Sequence, residues 1–247
     1  MEAYLDNSAT TRVDAQVQEL MKKLMDVDFG NPSSRHQKGV VAEGYIKEAR
    51  QKIAATLKVD PKELIITSGG TESNNMALIG TALAAKRKGN HIITTAVEHP
   101  SVKATASFLE EQGFRITFLS VDSRGQISLE DLKEALTPDT ILVSIMYVNN
   151  EIGTIQPVEE AAKLVHATVP GAVFHVDAIQ AYGKVMIRPK QQGIDLLSVS
   201  SHKFHGPKGA GFLYCSSKVN LHPIIFGGGQ QSGMRSGTEN VPGAAGM

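Results

Sequence analysis

The chain has 247 residues, 41% of them hydrophobic, which is enough for one large domain or two small ones with a substantial core. Lys and Arg number 25 in total, as do Asp and Glu, so no net charge draws the chain to nucleic acid or to an anionic membrane surface. Its single cysteine, Cys215, excludes an internal disulfide framework and a cysteine cluster for zinc or iron–sulfur binding.

The sequence carries no sign of membrane insertion or export. No apolar run approaches the roughly 20 residues that cross a bilayer. The first residues, MEAYLDNSATT, lack the basic and apolar regions of a signal peptide. We therefore expect a cytoplasmic protein with no membrane partner.

Helical and extended patterns alternate along most of the chain. After a short extended piece at residues 4–6, helices are predicted at residues 14–25, 39–57, 72–88, 101–112, 129–136 and 158–168. Short apolar runs, typical of buried strands, cover residues 64–67, 91–95, 115–119, 141–146, 173–176, 196–199 and 211–215. Such alternation favours a largely parallel sheet covered by helices on both faces.

Polar side chains follow five of these strands, at the end where an open sheet of this kind binds its ligands. In chain order they are residues 68–71, His99, Asn149 with Asn150, Asp177 with Gln180, and residues 200–203. A single shared pocket is the most economical interpretation.

The first of these groups is a turn with the sequence SGGTES, between a strand and a helix. Free backbone N–H groups and the positive end of the helix could hold a phosphate there, and Thr71 adds a hydroxyl. A glycine pair at a strand-to-helix junction is equally compatible with ordinary turn chemistry.

Lys203 stands between two histidines at the end of an apolar strand. Burial would disfavour its ammonium form, and a neutral amine is the form that attacks a carbonyl to give a Schiff base. The alternative is a solvated lysine in a surface hairpin.

Two further groups are ionisable. Asp177 directly follows an apolar strand, where a carboxylate needs a cationic or hydrogen-bonding partner, although it could also cap a helix. His99 precedes Pro100 and could stack on a ring or carry protons, or be a plain loop histidine.

Together, a phosphate cradle, an imidazole, a strand-end aspartate and a strand-end lysine are the parts that hold pyridoxal 5′-phosphate. The lysine binds its aldehyde, the aspartate pairs with the pyridine N–H, and the helix end anchors the phosphate.

Eight motifs occur in a characteristic order. They are YLDNSATT, GNPSSRH, TSGGTESNN, EHPSV, VNNEIG, HVDAIQ, SSHKFHGPKG and GMRSGTEN. From Tyr4 to its last residue the chain resembles the cysteine desulfurases of iron–sulfur cluster assembly, within the pyridoxal-phosphate-dependent class V aminotransferase superfamily.

The resemblance implies a fold and a domain division. The fold would be the α/β large domain of a fold-type I transferase, with a mainly parallel, seven-stranded sheet flanked by helices. Residues 1–15 would form an N-terminal arm that belongs to the small domain in the family. Residues 16–247 would form the large cofactor domain, truncated at its C-terminal end, with the small C-terminal domain absent.

The resemblance also assigns roles to individual residues. Lys203 would be the Schiff-base lysine, Asp177 would pair with the ring nitrogen, and Gln180 would bond the phenolic oxygen of the ring. His99 would stack on the ring, and Asn150 would lie beside the cofactor and the substrate carboxylate. The residues that would hold the phosphate are Gly70, Thr71, Ser200 and His202, joined by Thr238 from the partner subunit of a homodimer.

The implied reaction begins when L-cysteine displaces Lys203 from the aldehyde, after which Lys203 and His99 move protons. An enzyme thiolate attacks the substrate sulfur, leaving alanine and a persulfide that passes to an iron–sulfur scaffold or another acceptor protein. In the family that cysteine, and an arginine for the substrate carboxylate, lie beyond residue 247. Cys215, in an apolar strand, is expected to be inert packing. We therefore expect this stretch of chain to be inactive in sulfur transfer.

Three alternatives stay open on the sequence alone. The chain could act on selenocysteine, or on another amino acid within class V. It could be a non-catalytic fragment that dimerises with an intact subunit. It could also be a metal hydrolase that uses His202 and His205, although no metal site is expected from their spacing and the glycine turn that follows.

Overall fold

The computed structural model describes residues 3–247. Its strands are β1 (Leu64–Thr67), β2 (His91–Thr95), β3 (Arg115–Leu119), β4 (Thr140–Met146), β5 (Val173–Asp177), β6 (Leu196–Ser200) and β7 (Gly211–Cys215). Its helices are α1 (Ala15–Asp26), α2 (Gln37–Leu57), α3 (Gly70–Ala85), α4 (Pro100–Glu111), α5 (Leu129–Ala135), α6 (Val158–Thr168), α7 (Pro189–Gln192) and α8 (Val241–Ala245). Short 3₁₀ turns occupy Pro61–Glu63, Ser201–Lys203 and Gln230–Gly233.

The strands form one seven-stranded sheet in the order β1-β7-β6-β5-β4-β2-β3. Only β7 runs against its neighbours β1 and β6, and the other neighbouring pairs are parallel. The predicted α/β fold with a largely parallel sheet is therefore confirmed. The carboxyl ends of β2, β4, β5 and β6 lie at one edge of the sheet, because these strands run in the same direction.

Each face of the sheet is covered by its own helices. Successive residues of a strand point to opposite faces, so Leu142 packs with α3 and α4 while Val143 packs with α5 and α6. Every residue of β4 and β6 is buried, as expected for central strands covered on both sides. Within residues 3–247, none of the helices combines the length and the apolar composition that a membrane crossing requires.

Three helices begin earlier than their patterns predict, among them α2, which begins at Gln37 rather than residue 39. Helix α3 begins at Gly70 rather than residue 72, and α4 begins at Pro100 rather than residue 101. The residues that precede them explain the difference. Gly69 adopts a φ of 146° that ends β1 abruptly, and the ring of His99 caps α4 by accepting the N–H of Ser101.

Candidate functional site

A cavity of about 790 Å³ opens at the carboxyl ends of the parallel strands. Its wall comes from residues that follow β1, β2, β4, β5 and β6, together with Asp6 and residues 8–10 of the N-terminal segment. All the site residues predicted from the sequence line this cavity, except Thr238. The role expected for Thr238 belongs to a partner subunit and stays a prediction.

The N-terminal segment closes one side of the cavity. The N–H of Thr11 donates to the carbonyl of His202 at 2.8 Å, and the side-chain amide of Gln180 donates to the carbonyl of Ser8 at 2.9 Å. Residues 8–14 thus lie against the elements that carry Gln180 and His202, while residues 1 and 2 of the predicted arm lie outside the described residues.

Lys203 lies at the end of the 3₁₀ turn that follows β6, and its side chain is half-buried. Its Nζ donates to the carbonyls of Ser8 and Ala9, at 2.5 and 2.8 Å. Burial and the nearby Lys184 ammonium lower the pKa of Lys203, although carboxylates that include Asp177 act against them. The amine is therefore held in place and is easier to deprotonate than a surface lysine.

Asp177 is the last residue of β5 and is only 4% exposed. Its Oδ1 accepts the N–H of Ile179 at 3.0 Å, and its Oδ2 accepts from the side-chain amide of Asn74 at 2.8 Å. Burial raises the pKa of Asp177, although these hydrogen bonds and the charges of His99 and Lys203 partly offset the effect. A buried carboxylate in a cavity wall is most stable when a cationic N–H faces it.

His99 is connected to Asp177 by a chain of hydrogen bonds. Its Nδ1 lies 2.8 Å from the hydroxyl of Ser101 and accepts the Ser101 N–H at 3.1 Å. The side-chain amide of Asn74 donates to that hydroxyl at 2.9 Å, so the hydroxyl proton is free to point at Nδ1. This arrangement assigns the ring proton of neutral His99 to Nε2.

Sequence reasoning missed Asn74 and Ser101. Both lie inside recognised motifs, TSGGTESNN and EHPSV, yet neither received a role. Their shared signal is a polar side chain at a buried position of a helix, which requires hydrogen-bonding partners. The register between α3 and α4 that supplies those partners is a tertiary property.

The turn at residues 68–71, called the phosphate turn below, has free donors. The N–H groups of Gly70 and Thr71 find no acceptor among residues 3–247, because they open α3, whereas the N–H of Ser73 bonds the carbonyl of Gly69. The turn therefore presents two amides and the positive end of a 16-residue helix to the cavity.

We expect Gly211→Ala to disturb this turn. A Cβ at Gly211 would lie 2.5 Å from the carbonyl oxygen of Val199 and 2.7 Å from Cα of Gly69, and both contacts are with backbone. The free energy of unfolding should fall by about 1–3 kcal/mol in urea denaturation. Gly171→Ala is the matched control, since nothing lies within 4 Å of its Cβ position. Equal stability of the two variants would contradict the prediction.

Glu98 is a second buried acid close to the cavity, 3% exposed. Its Oε1 accepts the hydroxyl of Thr95 at 2.9 Å and the N–H of Met146 at 2.8 Å, while Oε2 finds no partner among the described residues. Burial and the charge of Asp177 raise the pKa of Glu98 to about 8, so it is largely neutral at pH 7. The sequence motif contained Glu98 but offered no reason to single it out.

The remaining predicted side chains have local partners. Asn150 donates to Glu151 Oε1 at 2.7 Å, in the loop after β4. The Nδ1 of His202 lies 3.1 Å from the hydroxyl of Thr10, and that of His205 lies 3.1 Å from the carbonyl of Arg12. In residues 3–247, no three His, Cys, Asp or Glu side chains gather as a metal site would require.

Cys215 lies at the end of β7, away from the cavity. Burial raises the pKa of its thiol to about 12, and the nearby carboxylates of Glu63 and Asp195 add to the effect. A thiol in this setting is a poor nucleophile at neutral pH, because the thiolate is the reactive form.

The cavity has the parts of a pyridoxal-phosphate site, and sequence comparison agrees with this geometry. Residues 3–247 match the family model described as Aminotransferase class-V. The chain belongs to the class-V aminotransferase family. Aminotransferases of class V and the related cysteine desulfurases depend on pyridoxal phosphate, so the cofactor expected from the sequence is confirmed at the level of the family.

Two curated relatives show the similarity along the whole chain. It is 51% identical over 244 residues to the Bacillus subtilis protein named putative cysteine desulfurase IscS 1, covering 99% of this chain and 64% of that one. It is 50% identical over 246 residues to cysteine desulfurase IscS of Dictyoglomus turgidum, covering 100% of this chain and 62% of that one. The chain thus spans slightly less than two thirds of these relatives.

Solved structures share the fold closely. A NifS-like protein superposes with a TM-score of 0.97 at 45% identity, over 100% of this chain and 67% of that one. A structure described as SspA in complex with cysteine gives a TM-score of 0.95 at 40% identity, over 99% of this chain and 71% of that one. The resemblance to cysteine desulfurases and the fold-type I architecture are therefore confirmed.

The residues present fit the cofactor. A buried carboxylate faces the cavity where a pyridinium N–H would need a counter-charge, and a lysine of lowered pKa lines the same wall. The phosphate turn offers free amides at a helix N-terminus, as phosphate binding requires.

Proposed function

We propose that this chain forms the cofactor- and substrate-binding part of a pyridoxal-phosphate-dependent cysteine desulfurase. One observation carries the proposal: Lys203, Asp177 and the phosphate turn, which are far apart in sequence, line a single cavity. The proposal keeps the division into an N-terminal arm at residues 1–15 and a large domain that begins at residue 16. It also keeps a cytoplasmic location.

Each wall of the cavity would hold one part of the cofactor. Asp177 would pair with the pyridine N–H, and Gln180 would bond the phenolic oxygen. His99 would lie against the ring, with Nε2–H turned to the cavity. The groups that would receive the phosphate are the amides of Gly70 and Thr71 and the side chains of Ser200 and His202, with Thr238 of a second copy. When bound, pyridoxal phosphate draws electrons away from Cα of an amino acid attached to its aldehyde.

The protein groups would then govern proton movement. Lys203 would hold the cofactor by its aldehyde, and the lowered pKa of Lys203 favours the neutral amine that bonding to an aldehyde requires. Both Lys203 and His99 line the cavity, and in this proposal Lys203 Nζ and His99 Nε2 would carry protons to or from the substrate. Asn150 would lie beside the substrate carboxylate.

Sulfur transfer needs a thiolate acceptor. That thiolate would attack the sulfur of L-cysteine and form the S–S bond of a persulfide. The substrate C–S bond breaks, its electron pair stays with the carbon, and uptake of a proton there gives alanine. Because the thiol of Cys215 has a pKa of about 12, we propose that another thiol takes this role. We also propose that the chain forms a homodimer and passes sulfur to an iron–sulfur scaffold or another acceptor protein. Without an acceptor thiol, we expect the chain to be inactive in sulfur transfer.

The test is a product analysis of the purified chain with pyridoxal phosphate, L-cysteine and dithiothreitol as the acceptor thiol. We expect L-cysteine to change the visible absorbance of the bound cofactor, and alanine and sulfide to form in equal amounts only when the thiol is present. D-Cysteine is the matched control, and with it we expect neither the change in absorbance nor the formation of alanine and sulfide. Turnover of L-selenocysteine with none of L-cysteine would favour a lyase instead, and no spectral change with either substrate would refute the proposal.

A further inference from the structure

The carboxylate of Glu72 joins the phosphate turn to a segment far along the chain. Glu72 lies in the first turn of α3, and its Oε2 accepts from the N–H of Ser68 at 3.0 Å and from the Ser68 hydroxyl. Arg235 approaches the same carboxylate with two donors, Nε to Oε1 at 2.8 Å and Nη2 to Oε2 at 3.3 Å. This is a forked arginine–carboxylate pair, the geometry that makes such pairs strong.

The pair is largely removed from solvent. The side chains of Glu72 and Arg235 are 12% and 22% exposed, so water screens their charges only partly. Burial alone would favour protonated Glu72, but the hydrogen bonds from Arg235 and Ser68 outweigh it and hold the pKa of Glu72 below its ordinary value. Glu72 is therefore a carboxylate at neutral pH, and Arg235 is its counter-charge.

Glu72 lines the cavity beside the phosphate turn, where an uncompensated negative charge would weaken the binding of an anion. A carboxylate and a phosphate repel each other strongly at short range in a partly buried site. The two would also compete for the positive end of α3. Arg235 removes both problems, because it neutralises the carboxylate and holds it on Ser68, away from the free amides of Gly70 and Thr71.

We propose that Arg235 is a positioning residue for phosphate binding, which acts by neutralising Glu72 and fixing it against Ser68. The proposal rests on the proposed function, because it takes the phosphate turn to be the site of the cofactor phosphate. Neither Arg235 nor Glu72 needs to touch the phosphate for this role.

The experiment compares variants at Arg235, alone and combined with Glu72→Gln, with the wild-type apo chain. Dissociation constants are measured for pyridoxal phosphate by absorbance, and for pyridoxal and inorganic phosphate by calorimetry. Arg235→Met should weaken pyridoxal phosphate and inorganic phosphate by about tenfold or more, because the Glu72 charge is left uncompensated. Pyridoxal lacks the phosphate, so its affinity should change by less than about twofold.

Removing the carboxylate should restore binding. Arg235→Met combined with Glu72→Gln keeps the acceptor oxygen for Ser68 without the charge, and should return phosphate affinity to within about threefold of wild type. Arg235→Lys, the conservative control, should stay close to wild type because it keeps the charge. A purely structural role predicts the opposite: the double variant would be as weak as Arg235→Met, and pyridoxal would be weakened equally. Either result would overturn the proposal.

Two safeguards keep the outcome clear. If Arg235→Met does not fold, Arg235→Lys and the double variant test the proposal. Loss of phosphate affinity in either of them would contradict the proposal that Arg235 acts by neutralising Glu72. Inorganic phosphate separates this inference from the proposed function. If the variants shift phosphate affinity as expected but pyridoxal phosphate never forms an adduct with Lys203, the proposed function fails while the role of Arg235 stands.

Discussion

Lys203→Ala is expected to abolish the covalent link between the chain and pyridoxal phosphate while leaving measurable reversible binding. The amine of Lys203 lines the cavity with Asp177 and has a lowered pKa, so it is the group suited to bond the aldehyde. The phosphate turn and Asp177 remain in the variant, and these keep part of the affinity. The measurement is borohydride reduction of the loaded protein, followed by mass analysis of its peptides.

Lys184 provides the matched control, because burial also lowers its pKa and its Nζ donates to Oε1 of Gln180, a residue of the cavity wall, at 3.3 Å. Lys184→Ala should keep the reduced adduct on Lys203. It should also shift adduct formation to higher pH, because it removes a positive charge that helps lower the pKa of Lys203. Recovery of the adduct on Lys184, or on any lysine other than Lys203, in the wild-type chain would refute the assignment.

The second large effect concerns Glu98 and the dependence of stability on pH. Its pKa is about 8 in the folded chain, against an ordinary value of 4.5, so between these values the folded state holds a proton that the unfolded state has lost. The contribution of Glu98 to the free energy of unfolding should therefore be largest below about pH 4.5, fall as the pH rises, and level off above pH 8. The full effect is on the order of 3–5 kcal/mol.

Glu98→Gln should remove this decline, because glutamine has the shape of the neutral acid and its Oε1 can still accept from Thr95 and Met146. The variant should match wild type near pH 5 and be more stable by a few kcal/mol near pH 9. Urea denaturation at a series of pH values measures the difference. The control is Glu151→Gln, which removes an exposed acid on the rim of the cavity. Parallel profiles for wild type and Glu98→Gln would show that Glu98 is ionised in the folded chain.

Local pattern was sufficient for the main elements of the fold. The helical spacing of four apolar residues gives α2 one apolar face, and the structure buries all four: Ile46, Ala49, Ile53 and Leu57. The strand positions also agree, because short apolar runs bounded by turn residues permit few other structures. Periodicity did not predict where α3 and α4 begin. The start of α3 depends on the backbone angle of Gly69, and the start of α4 depends on the ring nitrogen of His99 that caps it.

The sequence by itself determined that this chain is an α/β protein whose strand ends carry a lysine, an aspartate and a glycine turn. Its ordered motifs also pointed to the family. Each motif is a short stretch of sequence, so it can be recognised without the tertiary structure. Only the tertiary structure decided the electrostatics of the site. The partners of Asp177, Glu98 and Glu72 come from elements up to 163 residues away, and burial among those partners sets which carboxylates are charged.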